Sequence, residues 1–172
     1  MSSSRDEFKK QIPELYPRLH RAMTAYLAGS NVEPDDILQE AFLKAYRSVE
    51  QFEGKSGFYT WLYSIARNLS IDEFRKRKHE KKRSSVPVED FEIESDDFES
   101  DDQKENVLIL RKAISELPEL LKTVVVMKTI DGMSYSEISD VLDVNEQTLK
   151  NRMFRARKEL AGILDKMGVN EL

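Results

Sequence analysis

Cysteine is absent from the chain, which rules out disulfides and every thiolate metal site. Histidine is nearly absent too: His20 and His79 are the only two, they stand far apart, and neither belongs to a metal-ligand spacing. No stretch approaches the roughly 20 apolar residues that a bilayer-spanning helix requires, so membrane insertion is not expected and any membrane link must run through a partner. The first residues lack the apolar run of a signal peptide, which makes a cytosolic location the expectation. No cofactor is expected. With 34% charged residues in 172, little is left for one large core, and two small helical modules fit better.

Charge is uneven along the chain. The formal net charge is -5, yet 84–105 holds Glu89, Asp90, Glu92, Glu94, Asp96, Asp97, Glu99, Asp101, Asp102 and Glu105 against a single Lys104. Outside that strip the sign reverses, so two mildly basic modules flank an acidic segment. With Pro87 and no helical period, 84–103 reads as a linker too polar to fold alone.

Helical period dominates the rest, and the fold class expected is all-α. Residues 8–27 read as two helical pieces broken near Pro13 and Pro17, since proline disrupts a helix interior. Between 33 and 49, Ile37, Leu38, Ala41, Phe42, Ala45 and Tyr46 recur at spacings of three and four behind Pro34, Asp35 and Asp36, an acidic first turn that complements the helix dipole. A further helix is predicted over 57–78. Beyond the linker, helices are expected over 105–116 and 118–130; Val124-Val125-Val126 favours strand by propensity, but Leu117, Leu120, Leu121, Val124 and Met127 keep a helical rhythm. Ser134-Tyr135-Ser136-Glu137 has the form of a capping box, and Asp143-Val144 turns the chain toward a long helix that Asn145 caps. This last third reads helix, turn, helix.

Two stretches carry chemistry. From 52 to 83, Phe52, Phe58, Tyr59, Trp61 and Tyr63 precede Arg67-Asn68 and the cations Arg75-Lys76-Arg77-Lys78 and Lys81-Lys82-Arg83. Aromatic faces stack on unpaired bases while lysines and arginines hold phosphates, a pairing suited to single-stranded or melted nucleic acid. Aromatics at helical spacing also build cores, and Trp61 is placed in the core by preference. In the last helix, Leu149, Met153, Ala156 and Leu160 form one inward stripe. Lys150, Asn151, Arg152, Phe154, Arg155, Arg157 and Lys158 are left outward or flanking, as in the groove-entering helix of a helix-turn-helix. An exposed Phe154 suits contact with a thymine methyl.

Together these segments resemble bacterial sigma factors of the extracytoplasmic-function (ECF) group of the sigma-70 family, over 8–164. The helix Asp35 to Tyr46 is similar to the region-two helix that docks on the clamp helices of core RNA polymerase. Phe52-Glu53-Gly54-Lys55-Ser56 and Phe58 to Asn68 are similar to the minus-ten reading segment, and 134–160 to region four. The resemblance implies region two over 5–83, the acidic linker over 84–104, and region four over 105–168. It implies polymerase binding by Asp36, Gln39 and Glu40, minus-ten contacts by Phe52, Lys55, Ser56, Tyr59, Thr60, Trp61 and Asn68, and minus-thirty-five contacts by Thr148, Lys150, Asn151, Phe154, Arg155 and Arg157. Core RNA polymerase and promoter DNA are the partners implied, with an anti-sigma factor or other recruiting protein. Asp143 stands where the family often has glycine, but aspartate tolerates the left-handed conformation. Gln147 replaces a residue that is often small, so the promoter sequence does not transfer from relatives. The acidic linker reads either as a solvated tether or as a nucleic-acid mimic in a basic channel.

Two other classes stand against this reading. An enzyme finds little support: Asp35, Asp36 and Glu40 are explained by a helix start, and no catalytic constellation accompanies them. An autonomous helix-turn-helix regulator accounts for the last third but leaves 52–68 unexplained.

Overall fold

The computed structural model describes residues 3–81 and 101–169, and every regular element among them is helical. The all-α expectation holds. Most of the acidic linker lies outside the described residues. Seven α-helices follow in order: α1 (Ser4–Tyr26), α2 (Pro34–Ser48), α3 (Phe58–Lys81), α4 (Asp101–Ser115), α5 (Glu119–Val125), α6 (Tyr135–Leu142) and α7 (Glu146–Lys166). A short 3-10 turn, Val49–Gln51, follows α2, and a π-turn, Val126–Ile130, extends α5.

The expected break near Pro13 and Pro17 does not occur: α1 runs through both prolines. They stand four residues apart on an exposed stripe, so the carbonyls they leave without an N–H, those of Lys9 and Pro13, sit on the solvent side. The opposite side carries Phe8, Leu15, Leu19, Ala22 and Met23, all buried, and their packing holds the helix together. Ser3 and Asp6 close a capping box at its start.

In the first module, α2 packs along α3 while α1 crosses α2, around Phe8, Leu19, Met23, Leu38, Leu62 and Tyr63. Pro34 opens α2 with Asp35 and Asp36 in its first turn, as the sequence predicts. At the basic end of α3, Arg77 donates to the carbonyl of Asn31 and pairs with Glu73.

In the second module α5 is the central helix, burying Leu121, Val124 and Val125. The valine run stays helical but widens: the Asp131 amide donates to the Val126 carbonyl, five residues back, at 3.0 Å. Three adjacent β-branched residues crowd a regular helix, and a π-turn is where such crowding is relieved. Ser134 and Glu137 then cap α6 reciprocally. Asp143 adopts φ 53, the left-handed position expected of it, and Asn145 accepts from the Thr148 amide at 2.8 Å to start α7. Leu149, Met153 and Ala156 are buried under α5 and α6.

Candidate nucleic-acid interface

On the first module, three rings gather where the loop 52–57 meets α3. Phe52 stacks on Phe58 at 4.6 Å between centroids and leans on Trp61 at 5.0 Å, while Phe58 meets Trp61 edge-on at 6.0 Å. Phe8 reaches in from α1, 5.8 Å from Phe58, and fixes the cluster on the core. Trp61 is thus half-buried, one side packed and one side open. Asn68 is exposed on α3, two helical turns beyond Trp61 and on the same face. Lys55 is exposed and paired with Glu53, and Ser56 is half-buried. Tyr59 and Thr60 differ from the others: they are 7% and 3% exposed.

On the second module, Lys150, Asn151, Phe154, Arg155 and Arg157 are all exposed along the outer side of α7, opposite its buried stripe. Phe154 is 71% exposed, a large apolar group held in water by a rigid helix. Thr148 is half-buried in the first turn. Two neighbours modify this face. Gln147 donates to Asn151 Oδ1 at 3.3 Å, and Tyr135 of α6 lies 5.7 Å from the Lys150 ammonium.

A third surface lies on α2. Asp36, Gln39 and Glu40 are exposed together, next to an apolar groove formed by Phe8, Ile12, Phe42, Leu43 and Tyr46. Asp35 beside them accepts from the Tyr16 hydroxyl at 3.1 Å and lies 3.3 Å from His20 Nε2. Burial first, then Asp35, raises the pKa of that hydroxyl.

The two modules share one continuous apolar core, and polar links run beside it along their seam. Arg18 of α1 donates from Nε to Asp131 Oδ1 at 3.0 Å and from Nη2 to the Asp131 carbonyl at 3.3 Å. Its guanidinium lies 3.6 Å from the centre of the Tyr59 ring. The Tyr26 hydroxyl donates to Glu119 at 2.6 Å, and Lys122 donates to the Ala28 carbonyl at 3.3 Å. Burial raises the Tyr59 and Tyr63 hydroxyls well above their ordinary range, with the Asp131 charge adding to it. Burial also lifts the Asp131 carboxyl and lowers the Lys122 ammonium.

Residues 12–80 match the family "Sigma-70 region 2", and residues 108–160 match "Sigma-70, region 4". An ECF RNA polymerase sigma-E factor of Haemophilus influenzae is 33% identical over 145 residues, covering 79% of this chain and 76% of the relative. The factor of the same name from Escherichia coli is 36% identical over 138 residues, covering 73% and 70%. The chain belongs to the sigma-70 family, in its ECF group. Among solved structures, the sigma factor RpoE of Bartonella quintana, in complex with the anti-sigma factor NepR, superposes with a TM-score of 0.80 over 92% of this chain and 97% of that one, at 25% identity. CnrH, solved with the cytosolic domain of CnrY, shares the fold at 21% identity and a TM-score of 0.68.

Region two therefore carries the aromatic cluster, and region four carries the helix-turn-helix. Of the minus-ten candidates, the structure brings Phe52, Trp61 and Asn68 to an accessible side of α3 and its preceding loop, and turns Tyr59 toward the seam. The seam residues Arg18, Asp131, Tyr26, Glu119 and Lys122 were not legible as a group, because each pair is separated by about a hundred positions and no periodicity links them. The one local signal was Asp131-Gly132, a helix stop. The described residues contain no cluster suited to holding a metal ion, and no helix among them is long and apolar enough to cross a membrane.

Proposed function

We propose that this sigma factor binds core RNA polymerase and directs promoter-specific initiation, reading the minus-ten element as melted strand and the minus-thirty-five element as duplex. The observation that carries this reading is the outer face of α7. Lys150, Asn151, Phe154 and Arg155 project together from the second helix of a helix-turn-helix, where side chains reach base edges, while Thr148 and Arg157 suit phosphates. In region two, Phe52 and Trp61 offer ring faces for unstacked bases, and Lys55, Ser56 and Asn68 offer donors beside them. Tyr59 and Thr60, which the resemblance adds to that set, are buried in this structure and offer no open face to a base. Asp36, Gln39 and Glu40 form the acidic docking face for the polymerase, and the groove beside them supplies apolar area. The parts divide at 5–83, 84–104 and 105–168.

As in the complex of RpoE with the anti-sigma factor NepR, an anti-sigma protein is the expected regulator. The site of action is the cytoplasm, and the chain is a specificity subunit without catalysis of its own. In a transcription assay, purified chain and core polymerase should together give specific initiation that neither gives alone. Replacing Gln39 by alanine and Glu40 by lysine should weaken docking, more so at low salt, through lost hydrogen bonds and like-charge repulsion. Specific operator binding without polymerase, untouched by that double change, would replace this reading with a simple helix-turn-helix regulator.

A further inference from the structure

Gln147 heads the outer face of α7. Lys150 and Phe154 follow it along one row of that face, and Asn151 and Arg155 along the next, at the spacings that make helical neighbours. Its side chain is exposed, and the start of the helix is closed without it, because Asn145 already accepts from the Thr148 amide at 2.8 Å. The first turn of a groove-entering helix is where side chains come nearest to base edges. Gln147 is placed for recognition rather than for packing.

Its amide is tied to a neighbour on the same face: Gln147 Nε2 donates to Asn151 Oδ1 at 3.3 Å. An asparagine amide has one acceptor oxygen and one donor nitrogen, and paired recognition of adenine needs both, the oxygen accepting from N6 while the nitrogen donates to N7. In Asn151 the oxygen is held by Gln147, and since the two ends of a planar amide point apart, Nδ2 is left as the free end. A free donor suits the acceptors at the groove edge of guanine (O6 and N7) and thymine (O4), and it does not match the amino groups of adenine and cytosine. Water weakens such a bond in the free chain. In the groove, where water is displaced, the same bond strengthens.

We infer that Gln147 determines specificity through Asn151: it fixes the Asn151 amide with its donor outward, so that this position selects guanine or thymine on the strand it faces. This rests on the minus-thirty-five reading proposed above. Gln147 is here a positioning residue, and Asn151 is the group that meets the base. If the pair served only to support the helix, as side chains four residues apart do, its loss would leave base preference untouched.

The test is binding of holoenzyme, assembled with each variant chain, to promoters permuted through the minus-thirty-five element. Asn151→Ala marks the base pair in question, as the position where preference flattens. There the wild-type chain should rank guanine and thymine on one strand above adenine and cytosine by at least about fivefold. Gln147→Ala frees the amide to turn either way, and the ranking should collapse to within about twofold. Gln147→Glu keeps the shape of the side chain but only accepts, so it draws Asn151 Nδ2 to itself, turns Oδ1 outward and should exchange the preferred bases between the strands. The added charge lowers affinity for every sequence alike, and relative preference is blind to that. A wild-type ranking that groups guanine with adenine, as reading of N7 alone would, overturns the inference. So does a ranking that Gln147→Ala and Gln147→Glu leave unchanged, or an Asn151→Ala chain with unaltered preference throughout. In each of those cases an altered preference in Arg155→Ala leaves the minus-thirty-five reading standing, whereas a wild-type chain without preference anywhere in the element defeats that reading and this inference with it.

Discussion

Arg155 and Arg157 stand two positions apart on α7, both exposed, and their expected roles differ. If Arg155 pairs with a base edge, Arg155→Ala should cost about 1–3 kcal/mol and relax sequence choice at one upstream position. Arg157→Ala should weaken binding evenly across sequences and lower the salt slope by roughly 0.9, the share of one phosphate contact. Binding of holoenzyme to a panel of permuted minus-thirty-five sequences at several salt concentrations separates the two. In region two, Asn68→Ala should alter base preference near minus ten without changing affinity for core polymerase, and unchanged preference on permuted promoters would remove Asn68 from the site. Trp61→Ala is a different experiment, because one side of that ring is packed on Phe52 and Phe58. Full truncation of a buried tryptophan costs about 3–5 kcal/mol, so this half-buried one should cost less, and transcription lost at unchanged thermal stability marks its open side as functional. The sequence left Trp61 between core and contact, and the structure explains why: spacing along a helix tells which residues share a face, not how deep each one sits.

At the scale of elements, local chemistry was the most legible layer. The Ser134–Glu137 capping box, the left-handed Asp143 and the Asn145 cap all rest on bonds made within a few residues, and all appear in the structure. Ser134→Ala should therefore destabilise region four by about 1 kcal/mol, as loss of an N-cap hydroxyl does. Chemical denaturation of the whole chain, followed by the circular dichroism of its helices, would show it, and a midpoint unchanged from wild type would refute it. The illegible element was α1, where two prolines argued for a break. Local propensity there is outweighed by Phe8, Leu15, Leu19, Ala22 and Met23, which the rest of the module buries. A proline penalises a helix by what its missing N–H and its ring disturb, and on the solvent side water replaces the lost partner. The π-turn at Val126–Ile130 was equally beyond reach, since a helical rhythm does not distinguish four residues per hydrogen bond from five.

For the whole molecule, the relation between regions two and four is a matter of long-range pairs, and it sets a pH dependence. Burial holds the Asp131 carboxyl above its ordinary value of 3.8, against the opposing pulls of Tyr59, Arg18 and Arg21. The groups facing it are those two arginines, and Tyr59 and Tyr63, whose hydroxyls burial keeps neutral. A raised value means that the folded chain takes up a proton at this group more readily than the unfolded one. The stabilisation from this group is therefore complete below 3.8 and is lost as pH rises through the raised value. An ionised Asp131 strains the seam that Arg18 holds. Asp131→Asn keeps an acceptor for Arg18 and removes the buried charge, so the variant should be more stable than wild type at neutral pH. Acidification should then bring wild type toward the variant. Arg18→Ala should do the reverse, leaving a carboxylate buried without its donor, which is the more damaging way to break such a pair. Chemical denaturation against pH reads all three chains, and an Asp131→Asn chain less stable than wild type at neutral pH would show that the ionised pair holds the seam instead of straining it.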